Sequence, residues 1–399
     1  MNMTTDERIE NYRDRINLNL RKFVAPEFIF GVGARELAGR YAHHFEARKI
    51  LVVTDPGVLL AGWVADVTKS LDEAGIPHVM FSNLTPNPKA EEVMNGAEIY
   101  QNEGCNAIVA VGGGSVLDCA KGIGIVSSNH QHILTFEGVD QVGAPMPPLI
   151  CIPTTGGTSA DVSQFAIINN TQARVKIAII SKAVVPDIAL IDPVVLTTMD
   201  PLLTAYTGLD ALVHAIEAFV SIGSSPMTDI HALEAIRLVT RHLPESVKHP
   251  QNVDLRGQIM LGSLEAGLAF SNASLGGVHA MAHSLGGYSD LPHGECNAML
   301  LRHVMDFNFE TSPERYLRIG EAMGLDLRGM ALKQKKASIL NEIVRLEQAV
   351  GISETLSAKG VALTDIAPLA ANAIKDPCIA TNPRKPNKRD IEVIYEEAL

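Results

Sequence analysis

Apolar residues recur along this chain in two rhythms. Up to about residue 195, short runs rich in β-branched residues alternate with longer amphipathic stretches: KILVVTD at 49–55, HVMF at 78–81, AIVAVGGG at 107–114, PLICIPTT at 148–155 and IALID at 188–192. That alternation predicts βαβ units around a parallel sheet. After PVVLTTMD at 193–200 the β-runs stop, and apolar residues fall at every third or fourth position, as in AYTGLDALVHAIEAFV and DIHALEAIRLVTRHL. This is the period of a helix with one buried face.

The change of rhythm divides the chain into an expected α/β domain, residues 1–195, and an all-α domain, residues 196–399. Pro193 and Pro201 flank a threonine pair and an aspartate at the junction, which is helix-start chemistry. No internal repeat or low-complexity tract interrupts either half.

Composition narrows the function. Of 399 residues, 46% are hydrophobic and 20% charged, a globular balance. Lysine and arginine number 33 against 45 acidic residues, a net charge of -12, which repels a phosphate backbone and argues against nucleic acid as a partner. The opening MNMTTDERIENYRDR is charged where a signal peptide needs an apolar centre, and no apolar run reaches the roughly 18 to 20 residues that span a bilayer. A cytoplasmic protein with no membrane partner is expected. Cysteines 105, 119, 151, 296 and 378 are scattered and contain no CxxC pair, so neither a disulfide framework nor a thiolate zinc site is expected.

Gly112, Gly113, Gly114 and Ser115 follow the apolar run AIVAV and precede the helical SVLDCAKGIGI, where a strand turns into a helix. Free backbone N–H groups and the positive end of a helix dipole suit a diphosphate there, and glycine lets the backbone approach closely. The order of parts is unusual, because Asp55 ends a strand before the glycine loop, whereas the common dinucleotide fingerprint places its acid about 20 residues after it. Within TDPG, Asp55 reads either as a turn former or as an acceptor for ribose hydroxyls that would repel a 2′-phosphate. A second loop, IPTTGGTSADVS at 152–163, again follows a buried strand, and its Thr154, Thr155 and Thr158 are candidates to contact a diphosphate or a ribose.

Asp210 and His214 are one turn apart on one helical face. Downstream, GGVHAMAHSLGGYSDLPHG puts His279, His283 and His293 within 15 residues, although the chain holds only 13 histidines. His279 and His283 share a helical face, and His293 belongs to a Pro-His-Gly turn able to bring a third imidazole back. Three imidazoles and a carboxylate suit Fe(II), Zn(II) or another first-row divalent ion. Spacing alone does not say which histidine stays unligated.

These residues together resemble the iron-dependent, or group III, alcohol dehydrogenase family. The likeness runs over nearly the whole chain: FVAPEFIFGVGA at 23–34, VVTDPG at 52–57, GGGSVLDCAK at 112–121, GLDALVHAIEAFVS at 208–221, the histidine stretch and TNPRKP at 381–386. It implies the dehydroquinate synthase-like architecture, an α/β dinucleotide-binding domain with a parallel sheet plus an all-α metal-binding domain, with a cleft between. By resemblance the metal ligands are Asp210, His214, His279 and His293, and His283 is an active-site histidine outside the ligand set. The cofactor, NAD, is expected at Gly112, Gly113, Gly114, Ser115 and Asp118 for the phosphates. Thr154, Thr155 and Thr158 are expected near the ribose and nicotinamide, Lys176 at a ribose hydroxyl, and Asp55 as the acid that selects NAD.

The implied reaction is reversible hydride transfer between a small primary alcohol, or its aldehyde, and NAD, with Fe(II) or Zn(II) as Lewis acid and the proton leaving through water, the cofactor ribose or His283 as relay. A homodimer or larger homo-oligomer is implied as well. Phe165, Phe270 and Cys378 are candidates for the substrate wall. Three departures bear on activity: Asp161 stands where the family has a glutamate, and Ser284 and Arg302 where prolines are common. The altered 158–161 loop motivates one alternative, a regulatory or sensor protein that binds NAD and metal with little turnover. A zinc-dependent polyol dehydrogenase is the other.

Overall fold

The computed structural model describes residues 20–353 and 355–399; the charged opening segment lies outside them. Nine strands fall in the first half: β1 (Glu27–Phe30), β2 (Ile50–Val53), β3 (His78–Phe81), β4 (Ala107–Gly112), β5 (Gly138–Val139), β6 (Leu149–Pro153), β7 (Phe165–Asn170), β8 (Val175–Ile180) and β9 (Ile188–Ile191). Six form one sheet in the order β1-β9-β6-β4-β2-β3, with every pairing parallel. Its inner strands β2, β4, β6 and β9 are wholly buried. They are the apolar runs that the sequence presents, because a strand covered on both faces has no polar side to show.

Among the described residues five helices accompany these strands: α1 (Ala38–His44), α2 (Pro56–Ala61), α3 (Trp63–Glu73), α4 (Ala90–Asn102) and α5 (Gly114–Asn129). Two apolar clusters cover the two sheet faces, one under α4 and α5, the other under α1 and α3. β2 is followed by β3 on one side and its neighbour β4 is followed in the sheet by β6 on the other, so the connections that leave these two adjacent strands run in opposite directions. Such a switch opens a crevice at the carboxyl ends of the strands. Asp55 follows β2 and the glycine loop follows β4, so both border it.

The remaining nine helices are α6 (Pro201–Val220), α7 (Pro226–Lys248), α8 (Val253–Ala273), α9 (Gly277–Ser289), α10 (His293–Phe309), α11 (Pro313–Ala322), α12 (Leu332–Ala349), α13 (Leu363–Ala373) and α14 (Lys388–Ala398). The prolines and the aspartate at the junction act as expected: Pro193 opens a short 3₁₀ turn, and the Asp200 side chain accepts from the Leu203 N–H at 2.9 Å with Pro201 in the first turn, whereas the hydroxyls of Thr197 and Thr198 bond back to the Val194 and Val195 carbonyls. α6 is buried along nearly its whole length, sheathed by α7, α8 and α10, which places any polar side chain on it inside the molecule.

The antiparallel pair β7 and β8, joined by a turn at 171–174, has no counterpart among the strands that the apolar runs predict. It sits outside the main sheet, with β5 beside it, and its partly exposed residues break the apolar runs. β1 was missed for a related reason: it is an edge strand exposing Phe28 and Phe30. The β7–β8 pair matters, because it carries Phe165, Ile167 and Lys176 to the wall of the cleft.

Candidate active site

The strand β4 ends at Gly112, Gly113 is extended at φ -76° and ψ -175°, and α5 begins at Gly114 with no side chain capping it. The first-turn N–H groups are therefore available to a ligand. A Cβ on Gly114 would stand 2.5 Å from Thr158 Oγ1, and one on Gly113 would stand 3.0 Å from Thr155 Cγ2. The Thr154 N–H donates to the Gly112 carbonyl at 3.0 Å. The second loop thus lies directly against the first, and only glycine leaves both their positions.

Asp55 does what its local sequence suggests and keeps a second option. Its Oδ1 accepts from the Gly57 and Val58 N–H groups at 2.7 and 2.9 Å, capping α2. Both bonds fall on one oxygen, so the other can serve a ribose. Asp118, one turn into α5, lines the cleft, and burial pushes its carboxyl up to about 6 against the pull of Lys121. Lys176 Nζ donates to Asn87 Oδ1 at 2.7 Å, and Asn87 Nδ2 donates to Asp290 Oδ1 at 3.1 Å, joining the α/β half to the helical half across the cleft mouth.

Asp210, His214, His279 and His293 converge from α6, α9 and α10, with one ligand atom from each lying within 4.8 Å of the others. Burial holds the His214 imidazolium down to about 3, and holds His279 and His293 well below the ordinary histidine range, so all three rings are neutral and ready to ligate. His214 Nδ1 is buried without a partner and lies 3.9 Å from Asp210 Oδ2. His279 donates from Nδ1 to Glu217 Oε2 at 2.6 Å, which fixes its tautomer and turns Nε2 toward Asp210 Oδ1, 3.9 Å away. An orphaned ring nitrogen, a tautomer set for ligation and one carboxylate among three imidazoles fit a first-row divalent cation.

Two residues of this cluster went unread in the sequence. Glu217 lies seven residues after Asp210 on the same face of α6, a periodicity that was legible. Asn297 Nδ2 donates to Asp210 Oδ1 at 2.6 Å and lies 3.2 Å from Nε2 of both His279 and His293. It escaped because His293 was expected in a turn, whereas it is the first residue of α10, which puts Asn297 one turn on along the same face.

His283 projects from the helix that carries His279, stacks on His293 at 5.3 Å and is held through Nδ1 by Asp376 Oδ2 at 2.8 Å. Its Nε2 is left for the cleft. Phe165 and Phe270 line the cleft, but Cys378 is wholly buried with its thiol bonded to Asp376. The departures are accommodated locally. Ser284 Oγ donates to the Leu369 carbonyl at 2.8 Å, and Ser159 sits at φ +48° with its hydroxyl held by Ser263. Thr158 and Ala160 line the cleft while Asp161 is 4% exposed and feels Lys121. Arg302 Nη2 contacts His303 Nε2 at 3.2 Å on the surface.

The cleft is bordered by the glycine loop on one side and by His214, His279, His283 and His293 on the other. A concave site of mainly apolar lining with a few convergent polar groups is the form of a small-molecule site.

Residues 25–193 match the iron-containing alcohol dehydrogenase family, and residues 204–399 match the C-terminal part of the Fe-containing alcohol dehydrogenase family. The 1,3-propanediol dehydrogenase of Citrobacter freundii is 39% identical over 372 residues, 93% of this chain and 96% of that protein. The NAD-dependent methanol dehydrogenase of Bacillus methanolicus is 34% identical over 94% of this chain and 99% of its own. A crystal structure of 1,3-propanediol oxidoreductase superimposes with a TM-score of 0.92 at 38% identity, covering 96% of this chain and 100% of that one. The chain belongs to the iron-containing alcohol dehydrogenase family.

Proposed function

We propose that this chain interconverts small primary alcohols and aldehydes with NAD in the cleft between an α/β unit, residues 1–195, and a helical unit, residues 196–399. The observation that carries the reading is the meeting of two binding chemistries in one cleft, an uncapped glycine-rich helix start and four converging ligand atoms. Asp210, His214, His279 and His293 would hold Fe(II). When bound, the ion supplies Lewis acidity toward the alcohol oxygen, and the nicotinamide supplies the hydride acceptor.

The rest is the work of the chain's own residues. The N–H groups of Gly113, Gly114 and Ser115 cradle the diphosphate, and partial protonation of Asp118 lessens its repulsion of a phosphate beside it. The free oxygen of Asp55 accepts from the adenosine ribose and repels a 2′-phosphate, which selects NAD. Lys176 has further N–H donors beyond the one given to Asn87 and offers one to a ribose hydroxyl. Thr154, Thr155 and Thr158 frame the nicotinamide end. Glu217 and Asn297 hold His279 and Asp210 in place. Asp376 fixes His283 so that Nε2 takes the alcohol proton in one direction and returns it in the other.

Among the described residues no helix is long and apolar enough to cross a membrane. All five cysteines are unpaired and buried, in keeping with a reducing cytoplasm. A homodimer is proposed, to be read by light scattering.

The test is NAD reduction by ethanol, 1-propanol and 1-butanol after anaerobic loading with Fe(II), beside protein loaded with Zn(II). Turnover that requires Fe(II) supports the reading. Binding of metal and NAD with no alcohol oxidised and no aldehyde reduced would replace it with a regulatory role.

Two further results are expected. Gly114→Ala forces its Cβ onto Thr158, at a cost of about 1–3 kcal/mol. The NAD dissociation constant, followed by quenching of Trp63 or by calorimetry, should rise roughly 5- to 150-fold and recover in part with Thr158→Ala. Asn297→Ala frees the Asp210 carboxylate to turn, and metal affinity measured by chelator competition should fall roughly 10- to 100-fold.

A further inference from the structure

The cleft wall beside the metal ligands is carbon. The Phe270 ring lies nearly parallel over His214, with centroids 4.3 Å apart, and the Phe165 ring leans on Phe270 at 5.6 Å. Ile167 and Leu275 extend the same wall. Phe165, Phe270 and Leu275 are all at most 6% exposed, so they are core residues that turn one side to the cleft.

The polar groups of the cleft lie elsewhere or are already bonded. The Ser163 hydroxyl accepts from Lys121 Nζ at 3.4 Å, Lys176 is bonded to Asn87 with its further donors assigned above to the ribose, and His283 is bonded to Asp376 through Nδ1, with Nε2 assigned above to the reacting oxygen at the histidine cluster. Thr158 and Asp118 border the glycine loop. Asn169, whose buried Oδ1 has no partner, stands opposite Lys176 in the β7–β8 register, at the end assigned above to the ribose. An alcohol whose oxygen sits at the histidine cluster therefore lays its tail on Phe165, Phe270, Ile167 and Leu275, none of which offers a side-chain donor or acceptor.

We infer that this site selects an unsubstituted alkyl tail and discriminates against a second hydroxyl, with Phe165 as the residue that sets the preference. The inference rests on the function proposed above and adds the substrate class. A methyl group against this wall leaves water and gains contact, whereas a hydroxyl in its place leaves water and finds no partner. Phe165 is the natural determinant, because Phe270 is committed to stacking on His214.

1-Butanol and 1,3-propanediol make the test clean, since they have the same number of heavy atoms and differ only in a terminal methyl or hydroxyl. With Fe(II)-loaded protein, kcat/KM should favour 1-butanol by roughly 10- to 100-fold, the range over which apolar pockets discriminate. Phe165→Asn, which puts an amide on the wall, should shrink that ratio at least about tenfold, while Phe165→Leu should keep it; the second variant guards against poor folding of the first. Binding should follow the same order without turnover: butyramide should bind the NADH complex more tightly than 3-hydroxypropionamide by a similar factor. Equal turnover of the two alcohols, or a preference for the diol, would overturn the inference and leave the dehydrogenase standing. Failure of every alcohol and aldehyde to react would remove the proposed function and this preference with it.

Discussion

Asp210→Ala should strip the protein of its metal and lower turnover by roughly a thousandfold or more. The carboxylate is the one anionic member of the proposed ligand quartet, because burial keeps His214, His279 and His293 neutral. Without it a divalent cation would lie among three imidazoles, His214 and His279 buried and His293 partly exposed, with no countercharge from its ligands, a placement whose desolvation goes uncompensated. Several kcal/mol of transition-state stabilisation leave with the ion, and each 1.4 kcal/mol is a factor of ten. Elemental analysis after equimolar Fe(II) loading should find less than about one-tenth of the parental content. Full metal content in the variant would exclude Asp210 as a ligand. The metal-free fold should tolerate the change, because burial already raises the Asp210 carboxyl and disfavours its charged form.

How far this site could be read in advance depended on the period of the element that carries each residue. Asp210 and His214 stand four apart in an unbroken helical pattern, so their shared face was visible, and the density of histidines downstream pointed to the same place. Glu217 completed that face, but a glutamate in a helix is ordinary, and only the structure shows that it is buried among three donors. Asn297 depended on knowing that a helix starts at His293, which Pro-His-Gly conceals by resembling a turn. Asp376 carried no periodic signal, since it caps a short 3₁₀ turn far along the chain. The strands of the main sheet were legible because both faces are buried, while β7 and β8 form a smaller sheet whose mixed exposure blurs the pattern. That blur hid the element that carries Phe165, although the residue itself stood among the candidates for the substrate wall.

Glu217→Ala should destabilise the metal-free protein by about 3–5 kcal/mol, the cost of leaving three buried donors without their acceptor. Glu217 is 3% exposed, and its two oxygens accept from Gly276 N at 3.0 Å, Val278 N at 2.6 Å and His279 Nδ1 at 2.6 Å. The first two are donors at the start of α9, where Gly276 provides no side-chain cap, so the Glu217 carboxyl from α6 does the capping; burial pushes it up to about 7, against the pull of these N–H donors at the positive end of the helix. The third donor belongs to His279, one of the four proposed metal ligands. One side chain therefore holds both the helix that bears His279 and His283 and the tautomer of His279. Its loss should cost metal affinity roughly 10- to 100-fold in addition to stability. Urea unfolding must be run on metal-free parent and variant, because a bound ion would stabilise the parent by mass action and inflate the difference. If the metal-free proteins unfold at the same urea concentration while metal affinity falls, Glu217 serves the histidine alone and α9 is anchored by other contacts, such as the bond from the Gly277 N–H to Asn382 Oδ1 at 3.0 Å.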